Sequence, residues 1–121
     1  MNHRYIFDAN LYILDVDGEP TPCADVLAWA QWYQSDDLRR QIASTEIGSC
    51  RVSTVFLGIN HSFGAGQPVL WETMIFGGLR DTDGERYTSA DAARVGHELW
   101  VLVAKGETTP EAVREMERAL A

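Results

Sequence analysis

Gln41-Ile42-Ala43-Ser44-Thr45-Glu46-Ile47 is followed by Gly48-Ser49 and then by Arg51-Val52-Ser53-Thr54-Val55-Phe56-Leu57. The second run is rich in β-branched and aromatic side chains, which fit a pleated, half-buried surface, and the first is a plausible partner for it. The Gly-Ser step between them is short enough to close a hairpin. Gly58 through Pro68 holds three glycines and a proline and reads as a loop. Val69-Leu70-Trp71-Glu72-Thr73-Met74-Ile75-Phe76, closed by Gly77-Gly78, reads as a third strand. Three consecutive strands of this kind predict an antiparallel meander.

On the N-terminal side, Tyr5-Ile6-Phe7 and Leu11-Tyr12-Ile13-Leu14 read as extended, and Asp17-Gly18 supplies a turn. Asp15-Val16-Asp17-Gly18 opens like a calcium loop, but Pro20 and Pro22 intervene and the later ligands are missing, so a turn is expected. Thr21-Pro22 predicts a helix start, with Thr21 as cap and the helix running to about Gln34. On the C-terminal side, residues 79–86 are polar and turn-rich. Thr88-Ser89-Ala90-Asp91 matches a capping box. The next helix has its apolar stripe at Ala92, Val95, Leu99 and Val103, and ends at Lys105-Gly106. Thr108-Thr109-Pro110-Glu111 starts a last helix with Ala112, Val113, Met116, Ala119 and Leu120 on one side, and surface pairs Glu111–Arg114 and Glu115–Arg118. The expected fold is α+β: a single antiparallel sheet of three to five strands in a meander, packed by about three helices, in one domain over residues 1–121.

The 121 residues carry 18 acidic and 10 basic side chains, for a net charge of -8. A single domain usually takes roughly 100–200 residues. Binding a phosphate backbone calls for a basic stripe, and nine scattered arginines with one lysine, Lys105, do not form one. Nucleic acid is therefore not an expected partner; an acidic surface favours basic ones. No apolar run approaches the ~20 residues of a membrane helix, and the start of the chain lacks a secretory pattern. Cys23 and Cys50 are far apart, so free thiols, a cytoplasmic location and no membrane association are expected.

Four polar residues are the candidate site. His61 lies in the Gly-rich loop. Glu72 shares a strand face with Leu70, Met74 and Phe76, where a carboxylate must be paired or change its pKa. Arg86 is its expected partner. His97 is placed near the edge of the helical apolar stripe. Converged, His61, Glu72 and His97 have the donor types to hold a divalent metal, and His61 with Glu72 those of an acid–base pair. Dispersed, they are a salt bridge, a hydrogen-bonded core-edge histidine and a loop anchor, and this plainer arrangement is the expected one. No HExxH, Walker or nucleophile-elbow pattern is present, and Ser53, Thr54 and Ser62 are nucleophile candidates by residue type alone. No metal or other cofactor is expected. A second set, Trp29, Trp32, His61 and Phe63, is the candidate interaction surface: two tryptophans three apart span more than one side of a helix, so that one side packs on the sheet and the other is open to a partner, and loops concentrate binding residues; the plainer expectation is that both tryptophans fill the core. A homodimer is the commonest oligomer and the one to test first.

Val52-Ser53-Thr54-Val55-Phe56-Leu57-Gly58, Asn60-His61-Ser62-Phe63-Gly64, Glu72-Thr73-Met74-Ile75-Phe76-Gly77-Gly78, Glu85-Arg86-Tyr87 and Gly96-His97 occur in that order, after Tyr12-Ile13-Leu14-Asp15 and Trp29-Ala30-Gln31-Trp32. This set resembles a family of small uncharacterised proteins encoded by tailed phages and prophages, over about residues 12–97. The resemblance implies an origin and attaches no activity. The expectation is a small acidic phage- or prophage-derived accessory protein, not an enzyme, that binds a host or phage protein and modulates a host system. The alternative is a small enzyme or ligand-binding domain with its site around His61, Glu72, Arg86 and His97.

Overall fold

The computed structural model describes residues 10–35, 37–62 and 66–120. The expected strand at Tyr5-Ile6-Phe7 and the candidate contact Phe63 lie outside them. The order is β1 (Tyr12–Leu14), β2 (Pro20–Pro22), α1 (Val26–Ser35), one helical turn (Asp37–Arg40), β3 (Gln41–Ile47), β4 (Cys50–Phe56), β5 (Trp71–Phe76), β6 (Gly84–Tyr87), α2 (Ala90–Ala104) and α3 (Pro110–Leu120). β3 to β6 form a four-stranded antiparallel meander, and β1 and β2 a small separate hairpin.

The meander follows from the sequence pattern. β3 and β4 close at Ile47↔Cys50 around Gly48-Ser49. β4 and β5 align Val52 with Ile75, Thr54 with Thr73 and Phe56 with Trp71. Side chains alternate across a strand, so these six share one face. All six are buried, and α2 lies across that face, touching all four strands. The opposite face carries Arg51, Ser53, Val55, Glu72, Met74 and Phe76.

The hydrophobic interior has two parts. One gathers Leu14, Phe56, Leu70, Trp71, Tyr87 and Ala93, with Trp32 of α1 packed on it. The other gathers Val52, Ile75, Trp100, Val101, Val103 and Val113. Thr54 and Thr73 occupy the middle of β4 and β5, between Phe56–Trp71 and Val52–Ile75, so a polar row divides the apolar clusters.

Four local expectations shift. Residues 79–86 are polar and turn-rich in composition, but Gly84–Tyr87 is a fourth strand on β5. Thr21-Pro22 does not open α1. Both belong to β2, where Ile13 faces Thr21 and Tyr12 faces Pro22, and proline is tolerated on so short a ribbon. Asp25 caps the helix instead: its Oδ1 accepts from the backbone N–H groups of Leu27 and Ala28 at 2.9 and 3.3 Å. Likewise Ser89, not Thr88, caps α2, accepting from the Ala92 N–H at 3.1 Å. Finally, the buried stripe of α2 is Ala93, Gly96, His97, Trp100, Val101 and Val103. Ala92 and Val95 point to solvent, and Leu99 is half-buried. The helix is rotated from the expected stripe because glycine and histidine, which apolar periodicity does not count, face the sheet.

Other expectations hold locally. Gly18 completes a turn in which Asp15 Oδ1 accepts from the N–H groups of Asp17 and Glu19. Gly106, at φ 78, ends α2 after Lys105. Thr109 caps α3. Cys23 and Cys50 are free thiols. No described helix is long and apolar enough to cross a membrane.

Candidate functional site

Glu72 and Arg86 face each other across β5 and β6, and the Arg86 Nε–H donates to Glu72 Oε2 at 2.9 Å. The pair is on the face away from α2, because the neighbouring Thr73 is buried beneath that helix.

His97 lies on the other face. It is 2% exposed, and both ring nitrogens are engaged. Nε2 is 2.8 Å from Thr45 Oγ1, Nδ1 is 2.7 Å from Thr54 Oγ1, and Thr54 Oγ1 is 2.6 Å from Thr73 Oγ1. Burial holds the imidazole below its ordinary pKa, so it is neutral. A neutral ring has one donor and one acceptor. A consistent direction runs from the Thr73 hydroxyl to Thr54, from the Thr54 hydroxyl to Nδ1, and from Nε2–H to Thr45. That direction leaves the spare hydroxyl proton on Thr45, which is half-buried, and not on Thr73, which is fully buried. His97 is therefore a core residue, and not one at the edge of its stripe.

His61 belongs to neither group. It is half-buried in the β4–β5 loop, with its backbone N–H on the Val69 carbonyl at 3.0 Å. Asn60 organises this loop: its Oδ1 accepts from the N–H groups of Ser62 and Val69, and its own N–H bonds to the Asn10 carbonyl. The sequence thus names four polar candidates, of which the fold joins Glu72 with Arg86 and sets His97 across the sheet from them. Among the described residues no group of His, Cys, Asp and Glu has the arrangement of a metal site.

Trp29 and Trp32 are both half-buried. The Trp29 indole N–H reaches the carbonyls of Tyr12 and Gly58 at 3.0 and 3.1 Å, and the ring stacks obliquely on Tyr33. Trp32 sets its edge against Phe56. The tryptophans tie α1 to β1 and the sheet, and the exposed large apolar residues of α1 are Val26 and Leu27.

A cleft of about 660 Å³ opens where the start of α2 meets α3. Residues from the β6 end, α2 and α3 line it, among them Tyr87, Ala92, Val95, Arg114, Glu117 and Leu120. At this site the Trp100 indole N–H donates to the Tyr87 hydroxyl at 3.1 Å, and that hydroxyl donates to Glu117 Oε2. Among the described residues no donor reaches the buried Oε1 of Glu117. Burial raises the pKa of Glu117, and burial beside that carboxylate also pushes Tyr87 upward. Gly96 makes the arrangement possible, because a Cβ there would lie 2.1 Å from the Tyr87 hydroxyl oxygen. Val95 and Leu120 are 51% and 72% exposed.

Apolar periodicity counts Val95 and Leu120 with the core, and neither Tyr87 nor Glu117 belongs to a motif that marks a site. The available signal was the spacing of Gly96 and Trp100 on one helix face together with a tyrosine at the end of the preceding strand. No known protein family, no curated protein and no solved structure matches this chain.

Proposed function

We propose that this chain is a phage- or prophage-derived accessory protein that acts by binding another protein, of host or phage origin, and so modulates a host system. The origin rests on the sequence resemblance over about residues 12–97. The mode of action rests chiefly on one observation: the α2–α3 cleft presents exposed Val95 and Leu120 around a hydrogen-bonded Tyr87–Glu117 pair. Apolar side chains beside a concave, partly polar site suit the centre of a protein interface. Glu72, Arg86 and His97 support the same reading, since each is occupied by a neighbour within the fold. An acidic protein of charge -8 also attracts basic surfaces at long range.

Affinity capture tests this reading. The tagged full chain and its Val95→Glu variant are each incubated with bacterial lysate, and retained proteins are identified by mass spectrometry. Val95 is half exposed, so the variant is expected to fold normally, checked by circular dichroism. A discrete partner retained by the parent chain and lost from the variant is the expected outcome. The same proteins retained by both chains would overturn the assignment to this cleft.

A further inference from the structure

We infer that this chain forms a symmetric dimer in which β3 of one copy pairs antiparallel with β3 of a second, around a two-fold axis at Thr45. The four-stranded sheet then runs on from one copy into the other. This goes beyond the binding reading above, because it concerns the purified chain alone.

The two edges of the sheet differ. Along an antiparallel strand, the ladder bonds alternate from one neighbour to the other, residue by residue. At the β6 edge, the Ile75 N–H donates to the Asp83 carbonyl, so Glu85 faces β5 and the backbone groups of Gly84 and Arg86 point outward. Both residues find partners within the chain: the Arg86 N–H donates to Glu85 Oε1 at 3.0 Å, and the Gly84 carbonyl accepts from Arg114 at 3.4 Å. At the other edge, the Leu57 N–H donates to the Leu70 carbonyl, so Arg51, Ser53 and Val55 bond to β5, and Val52 and Thr54 bond to β3. Their partners Thr45 and Ala43 face β4, which leaves Ser44 and Glu46 with N–H and C=O groups turned to the free side. Ser44 and Glu46 are exposed, and among the described residues no loop or side-chain group takes those backbone groups. β3 also carries no proline or lysine to blunt it. An open edge of this kind is a template for another strand.

The residues of β3 choose a second copy and set its register. The regular stretch runs from Ala43, where the irregularity after Gln41 ends, to Ile47, before the Gly48-Ser49 turn. Thr45 is its centre. A two-fold there sets Ser44 opposite the partner's Glu46 and Glu46 opposite the partner's Ser44, and these are the residues whose backbone groups face outward. Both pairs then exchange ladder bonds. Each Ser44 hydroxyl also comes across from a carboxylate to which it can donate. An axis at Glu46 would instead bring two glutamates face to face, which is unfavourable. An axis at Ser44 would run the pairing into the irregularity at Ile42. On the α2 side, the Thr45 axis puts the partner's Ile47 opposite Ala43. A groove of about 360 Å³ lies there between β3 and α2, lined by Ile42, Ala43, Arg94, Val95, His97 and Glu98.

The test is sedimentation equilibrium of the purified full chain from micromolar to submillimolar concentration. Physiological salt screens the charge of -8 on each copy. A reversible monomer–dimer equilibrium is expected. Glu46→Pro deletes an outward N–H and leaves the β3–β4 ladder intact, so it should give a folded monomer. Ser44→Glu sets like charges opposite each other and should weaken the dimer. Ser44→Lys sets a cation opposite the partner's Glu46 and should tighten it, each change being about fivefold over the two symmetric pairs. Ser44 is exposed, so these two variants decide the matter if circular dichroism shows that Glu46→Pro does not fold. A parent chain that stays monomeric throughout, a folded Glu46→Pro that still dimerises, or Ser44→Glu and Ser44→Lys failing to move the equilibrium in opposite directions would overturn the inference. No lysate protein enters the measurement, so its result is separate from that of partner capture.

Discussion

His97 shows how one side chain changes meaning with its surroundings. Its ring sits between Thr45 and Thr54 in the row that separates the two apolar clusters, so both nitrogens are satisfied while the imidazole stays neutral. Folding lowers its pKa from 6.5 by burial. The unfolded chain therefore takes up the proton first as pH falls, and stability contributed by the neutral ring is complete above about pH 6.5 and declines below it. The expected result is that the stability difference between the parent chain and His97→Gln, from urea unfolding, is largest near neutrality and shrinks in mild acid. A difference that does not vary with pH would refute this account. Thr54→Val should cost about 1–3 kcal/mol in the same measurement, because it strands the buried partners at both ends of the Thr54 hydroxyl. Nothing in the linear chain marks His97 as interior, since its partners are 52 and 43 residues away.

At the scale of elements, boundaries depended on which of several adequate caps the chain used. Thr21 and Asp25 are both good cap types, and so are Thr88 and Ser89. The β1–β2 hairpin decides the first case by drawing Thr21 and Pro22 into a ribbon, which leaves Asp25 beside the first free N–H groups of α1. Asp25→Ala should therefore lower stability by about 1 kcal/mol, while Thr21→Ala should have a much smaller effect. Thermal denaturation of both variants checks this, and equal losses would mean that the cap had been misplaced. The meander was legible because its signals are local: alternation, β-branched residues and the Gly48-Ser49 turn. β6 was not, because Gly84-Glu85-Arg86-Tyr87 has little apolar character, and its pairing with Trp71–Met74 supplies what its composition lacks. The buried face of α2 is hidden from the sequence for a related reason. Ala92 and Val95 look as apolar as Ala93 and Trp100, and contact with the sheet selects between them.

The described residues form a four-stranded sheet and a small hairpin, with the apolar interior in two clusters bridged by α2. Ala93 belongs to one cluster and Trp100 to the other, on the same continuous helix. This continuity predicts that the clusters melt together. Leu14→Ala in the first should cost about 2–5 kcal/mol and Ile75→Val in the second about 0.5–1.5 kcal/mol. Both should move a single transition seen alike by tryptophan fluorescence and far-UV circular dichroism. Separate transitions by the two probes would show that the clusters unfold independently. By itself the sequence determined the α+β class, three strands of the antiparallel meander, the Asp17-Gly18 and Gly48-Ser49 turns and the Glu72–Arg86 pairing, because alternation, turn chemistry and the need to neutralise a carboxylate on a strand act over short distances or one ladder. Only the tertiary structure decided that His97 is interior, that Trp29 and Trp32 pack against the domain, and that Tyr87 and Glu117 meet at the α2–α3 cleft. Those outcomes depend on how a helix is rotated on a sheet and on a glycine admitting a ring beside it, which are set by contacts between residues far apart in the chain.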